Sequence, residues 1–237
     1  EVGHTASAAA SFYAGAVVEG VTSDEITGNL HNSGSVTATA GNVFSDLTLT
    51  ASALGYIQPS QNAVGIVVSG VGGDINNSGT IDAATNLSIN NVTITSLESD
   101  AFIEINDNAT GLLLTDDVIG DVINDGVIFA AASMNAVDVN VNGGTAARLR
   151  VNLNATGIDV NVHTVTVSGP GGFINSGIIS GTAHFDTSGI TLDGTTATTT
   201  IAVTAIGVNI GSGSVAAIVN SGTIMGVWTG GSTANSS

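Results

Sequence analysis

The chain has 237 residues, with 19 acidic side chains against 2 basic ones and a formal net charge of −17. That balance excludes a basic nucleic-acid-binding patch and opposes contact with an anionic membrane surface. The absence of cysteine excludes a disulfide framework or thiolate metal site, and no apolar run reaches the roughly 18 residues of a membrane helix.

The apolar content is high at 43%, yet aromatics make up only 4%. Val, Ile, Leu and Ala carry it, with abundant Thr. Branched side chains suit a pleated sheet and disfavour helix. The 32 glycines and 2 prolines provide turns without breaking many strands. The missing lysine, acidic balance and high Thr, Asn and Gly predict an exported protein of the cell surface or exterior. The opening Glu1-Val2-Gly3-His4 has neither the basic start nor the apolar core of a signal peptide, which fits a mature form.

Taken in order, the chain repeats itself. Thr5–Phe12 reads as a strand leading to Gly15 in Tyr13-Ala14-Gly15-Ala16-Val17-Val18. This is a degenerate first copy of an Ala-x-Gly pattern found in full at Gly65, Gly111, Gly157 and Gly207, each followed by apolar residues, so a corner and then a strand is predicted. A second motif follows a variable loop: Leu30-His31-Asn32-Ser33-Gly34, then the equivalents at Asn77, Asn124, Asn175 and Asn220. These asparagines step by 45, 47, 51 and 45 residues. Two further branched segments close each unit, giving about four short strands per repeat. The polar stretch 229–237 reads as a tail after a single domain, 1–228.

Five copies at a near-constant period mark a repeat architecture. One unit cannot bury its apolar face, whereas stacked units share a continuous core. The prediction is an all-β, parallel β-solenoid of about five units of ~46 residues. Each repeat asparagine then sits at a bend and bonds to its copies above and below. The following glycine is expected to supply a positive φ. One wide rung per unit would place Glu104 beside Arg150, and Phe102 between Tyr56 and Arg148, as ion-pair, stacking and cation–π neighbours. A solenoid of narrow rungs and an antiparallel β-sandwich are the alternatives.

The pairing of Asn154-Ala155-Thr156-Gly157-Ile158 with Ile174-Asn175-Ser176-Gly177 resembles the passenger repeats of bacterial autotransporters and related surface β-helices. The resemblance covers nearly the whole chain and implies an exported stalk, often an adhesin. The chain departs from the full family pattern in ending at Ser237 without a membrane barrel and its aromatic girdles.

Little catalytic chemistry is visible. His4, His31, His163 and His184 form no zinc-type pair, and no nucleophile elbow or phosphate loop occurs. His184 and Asp186 would share a strand face as an exposed polar pair. Asp116, Asp117, Asp121 and Asp125 form the candidate calcium cluster, since hard carboxylate oxygens suit that ion. Asp24, Glu25 and Asp46 rank below them. No other cofactor is implied. A β-helix polysaccharide lyase would need a free cationic base, and only Arg148 and Arg150 could serve. Of the sequons at Asn76, Asn86, Asn91, Asn108, Asn154 and Asn235, three fall within the repeat motifs and read as structural.

The sequence therefore predicts a non-enzymatic extracellular subunit that stacks head-to-tail with copies of itself into a filament or surface layer, without membrane insertion. The alternative is an adhesin stalk whose loops bind a glycan; a polysaccharide-active enzyme ranks last.

Overall fold

The computed structural model describes residues 2–6, 9–160 and 165–236, with side chains over 9–160 and 165–231. Strand β1 (Val2–Ala6) precedes five turns of chain. The first turn contains β2 (Ala9–Ile26), β3 (Leu30–Asn32) and β4 (Ser35–Ala51), and the second β5 (Leu54–Val71), β6 (Ile75–Asn77) and β7 (Thr80–Ser96). The third contains β8 (Asp100–Leu114), β9 (Val122–Asn124) and β10 (Val127–Gly143). The fourth adds a short strand: β11 (Ala146–Asp159), β12 (Thr166–Val167), β13 (Phe173–Asn175) and β14 (Ile178–Asp193). The fifth repeats that plan with β15 (Thr196–Asn209), β16 (Ser214–Val215), β17 (Ile218–Asn220) and β18 (Thr223–Ser236).

Every strand pairs in parallel with its counterpart in the neighbouring turn. The three main sheets run β1-β4-β7-β10-β14-β18, β2-β5-β8-β11-β15 and β3-β6-β9-β13-β17. Asn62 pairs with Asn108 and Asn108 with Asn154, so one unit makes one wide turn. The architecture is a parallel β-solenoid. The two alternatives fail because, among the described residues, no strand pairs antiparallel or within its own turn.

The first three turns hold three strands rather than the four short segments expected, and two strands of every turn are long. β5 runs unbroken through Gly65, and β7 runs through Asn91, whose φ is 51°. At these residues the backbone bends and one pair drops out of the ladder, but the strand resumes on both sides, so corners lie inside strands. The segment from 229, expected as a tail, continues β18 through Ser236 against β14. Backbone pairing needs no apolar composition.

Alternation drives the packing. Along β8 nearly every second residue is buried, as period-two strands require when one face meets a core. One core lobe lies between the two long sheets, with Ile57, Ile103, Leu149 and Met134 inside. A second lobe contains Ile66, Ile81, Leu112, Val122 and Phe173 beneath the short sheet. Between them, Ala40, Ala63 and Ala83 bring the long sheets close.

Candidate functional site

The repeat asparagines form one continuous column. Asn32 Nδ2 donates to Asn77 Oδ1, Asn77 to Asn124, Asn124 to Asn175 and Asn175 to Asn220, each at 2.7 Å. Each Nδ2 also reaches a backbone carbonyl of the next turn, as from Asn124 to Ile178 O at 3.2 Å. Asn77, Asn124 and Asn175 are buried. The column therefore has a direction: acceptors face the first turn and donors face the last.

The glycine after each asparagine has a different role from the one expected. Gly34, Gly79, Gly126, Gly177 and Gly222 do not occupy the left-handed region. All but Gly34, which has open space, permit close approach: a Cβ on Gly79 would sit 2.0 Å from Gly34 O, and one on Gly126 2.1 Å from Gly79 O. The second glycine column also needs a correction. Gly65, Gly111, Gly157 and Gly207 align, but their first-turn counterpart is Gly20, whose Cβ would lie 2.6 Å from Gly65 O. Gly15 pairs with Ser60 and has room around it. The apolar residues after Gly15 imitate the motif, whereas register decides membership.

A further column had no sequence signature. Asp46, Asn91 and Asp138 have φ values of 53°, 51° and 53°, and Gly189 follows at 64°. Asn91 Nδ2 donates to Asp46 Oδ1 at 2.7 Å. Asp and Asn tolerate this conformation better than other residues with a Cβ, and glycine tolerates it best. The shared signal is conformational, so identity matching across Asp, Asn and Gly does not find it.

On the outer face of the β2–β15 sheet, Tyr56 and Phe102 stack with centroids 5.2 Å apart. Glu104 Oε1 meets Arg150 Nη1 at 3.3 Å, and Glu104 Oε2 accepts the Tyr56 hydroxyl at 3.0 Å. Arg148, expected over the Phe102 ring, pairs with Asp100 at 3.5 Å. A carboxylate in the neighbouring turn outweighs the quadrupole of a ring.

The acidic candidates do not converge. Asp117 Oδ1 accepts from Thr166 N, Asp121 Oδ1 from Gly171 N and Gly172 N, and Asp125 Oδ1 from the Ser176 hydroxyl. Asp116 Oδ1 accepts from Asp117 N. Asp116 and Asp117 share a groove with Asp24 and Glu25. Among the described residues no three His, Asp or Glu side chains are placed to hold a metal ion. Three of the four aspartates tie loops to the following turn instead. His184 Nδ1 lies 3.0 Å from Thr229 Oγ1, on the exposed face that also carries Asp186. His163 lies outside the described residues.

No protein-family model, curated protein or solved structure matches this chain.

Inside the core, sequence reading missed a polar cluster. Gln61 and Asp107 are register partners in adjacent turns, and both are fully buried. Thr85, also buried, lies on the facing sheet, where Gln61 Nε2 donates to Asn86 O at 3.2 Å. Gln61 Oε1, Thr85 Oγ1 and both Asp107 oxygens have no hydrogen-bond partner among the described residues. Burial pushes the Asp107 carboxyl up to about 7.

The end turns differ from the interior. Ile218 is 58% exposed, while its column partner Phe173 is 2% exposed. Trp228 is 63% exposed, above Ala183 at 0%. Ile201 is 37% exposed, above Val151 at 0%. At the opposite face Phe12, Leu30 and Val36 are half-buried, whereas their second-turn partners Ile57, Ile75 and Ile81 are buried. Both faces thus expose core columns.

Proposed function

We propose that this chain is a non-enzymatic structural subunit of the cell exterior, stacking head-to-tail with further copies into a filament or surface layer. The carrying observation is the directional asparagine column: Asn32 Oδ1 lies at its acceptor end and Asn220 Nδ2 at its donor end. A second copy placed on the last turn would extend the column in the same sense. In continuous register it would also cover Ile218 with Leu30 and Ile224 with Val36, and set Ala40 over Trp228. Such a contact is heterologous and does not close, so it propagates. The charge of −17 would hold finished fibres apart.

Both arginines support the non-enzymatic reading, since each is engaged by a carboxylate. A second reading is an autotransporter-type adhesin passenger, a monomeric stalk binding a surface glycan through its loops. It is favoured by the Asn-x-Gly and Ala-x-Gly motif pair. Electron microscopy across protein concentrations, with and without calcium, separates the two. Filaments or sheets with an axial rise of about five strand spacings, each roughly 4.8 Å, are expected. Monomers under every condition would reject the stacking function and leave the adhesin.

A further inference from the structure

The two ends of one lane contain rival strands. In the sheet built from β4, β7, β10, β14 and β18, Leu47, Val92, Val139 and Ile190 form one column. Ala234 of β18 extends that column past Ile190, and Val2 of β1 extends it in the other direction past Leu47. Gly3 and Asn235 are matched in the same way through Thr48 and Thr191, as are His4 and Ser236 through Leu49 and Leu192. When one copy stacks on another in continuous register, the last turn of the first takes the layer before the first turn of the second, which β1 of the second already occupies in part. The end of β18 and the β1 of the next copy then require the same backbone edge.

Among the described residues, β1 covers Leu47–Ala51 of β4 and residues 35–44 have no strand partner on that side; they match β18 from Thr223 to Ser232. β2 and β3 are the end strands of their sheets on this side, with β15 and β17 at the other ends. Among the described residues the obstruction is one five-residue strand.

We infer that β1 is a removable edge cap. It holds part of the stacking face of each subunit, and the incoming β18 of a second copy displaces it. This rests on the head-to-tail reading and adds its register and its control. Among the described residues, β1 has a strand neighbour on one side only, β4, and no companion strands in the other two sheets of its layer. An arriving turn brings β15, β17 and the 14-residue β18 together. The exchange replaces a short ladder with a complete layer, so it runs toward the stack. The cap slows the first contact, since an unpaired edge is what templates further pairing.

The test uses the whole 237-residue chain. Thr37 and Met225 belong to one column through Asp82, Phe129 and Ser180, and both are exposed. The protein has no cysteine of its own. Mixing Thr37→Cys with Met225→Cys should give an inter-chain cross-link with a short thiol-reactive linker. Gly3→Pro combined with His4→Pro removes a backbone donor from β1 whichever residue faces β4. The assembly lag, followed by light scattering, should shorten by about threefold or more in the double-proline variant. Circular dichroism of the monomer checks that its strand content is retained.

The failures are distinguishable. Absence of both assemblies and cross-link, in the parent and in the proline variant, overturns head-to-tail stacking itself. Assemblies without this cross-link overturn the register. A cross-link with an unchanged or lengthened lag in the proline variant overturns the capping role alone.

Discussion

Glu104 joins three turns: its Oε2 accepts the hydroxyl of Tyr56 from the turn before, at 3.0 Å, and its Oε1 meets Arg150 of the turn after, at 3.3 Å. The Tyr56 phenol is pushed up to about 12, first by burial, then by the hydrogen bond and charge of Glu104, with Arg150 opposing. A raised phenol contributes stability that is complete below its ordinary value near 10 and is lost as pH climbs toward 12. Glu104→Gln removes the charge while keeping an acceptor. Ultraviolet titration of the variant should place the Tyr56 transition lower than in the parent. The stability loss should stay below about 1 kcal/mol, because the arginine is half exposed and screened. An unmoved Tyr56 transition would show that burial alone sets it.

Asp107 offers a larger effect with the opposite lesson. Its carboxyl is fully buried, lacks hydrogen-bond partners among the described residues, and is pushed up to about 7 by burial. The folded state therefore favours the protonated acid. The sign is fixed by linkage: this stability is complete below the ordinary value of 3.8 and disappears as pH rises toward 7. Asp82 is raised in the same direction by burial. Asp107→Asn should stabilise the protein above pH 7 by a few kcal/mol, because each tenfold change in proton affinity corresponds to about 1.4 kcal/mol. Urea melts at pH 5 and pH 8 check this. Equal stability of variant and parent at pH 8 would contradict a buried, proton-dependent acid.

The large features were legible because they repeat with the same letters. Asn-x-Gly located the column of Asn32 to Asn220, and one-turn spacing put Glu104 beside Arg150. Features set by conformation or by neighbours were not legible. Gly20 is flanked by Glu19 and Val21, whereas Gly15 sits between Ala14 and Ala16 before an apolar pair, so Gly15 imitated it. Asp46, Asn91, Asp138 and Gly189 share a backbone conformation and differ in name. Gln61, Asp107 and Thr85 become a cluster only when two sheets face each other. The aspartates from 116 to 125 looked like a metal cluster because they are close in sequence. Each instead bonds a different neighbour, and three of them reach into the following turn.

The glycine correction predicts a graded series. A Cβ at Gly15 meets nothing nearer than Ser60 O at 3.9 Å, whereas one at Gly20 meets Gly65 O at 2.6 Å and Val36 Cγ1 at 2.7 Å. Gly65 is tighter, with Ile81 Cγ2 at 2.5 Å and Gly111 O at 2.6 Å. Gly15→Ala should leave the melting temperature almost unchanged. Gly20→Ala and Gly65→Ala should each cost about 1–3 kcal/mol, the range for overpacking. Gly65 should be the worse of the two, because both its flanking turns are fixed. Thermal melts of the three variants decide it, and a Gly15 variant as unstable as Gly20 would return Gly15 to the column.

The asparagine column makes the last prediction, and it separates position from chemistry. Asn124 is buried, receives Asn77 Nδ2 and donates to both Asn175 Oδ1 and Ile178 O. Asn124→Ala leaves a donor on one side and two acceptors on the other without their partner. Each orphaned group costs about 1–3 kcal/mol, so the total loss should reach several. Asn32 heads the column, is only partly buried, and has one ladder partner, Asn77. Its alanine variant should cost roughly 1 kcal/mol. Asn124→Asp is the sharper probe. It is nearly isosteric and keeps the acceptor, but it cannot donate, and it sets a negative charge against the amide oxygen of Asn175. Denaturant melts should rank Asn124→Asp at least as unstable as Asn124→Ala, with Asn32→Asp far milder. Equal losses at the two positions would mean that the column is a series of independent local turns rather than one chain of donors.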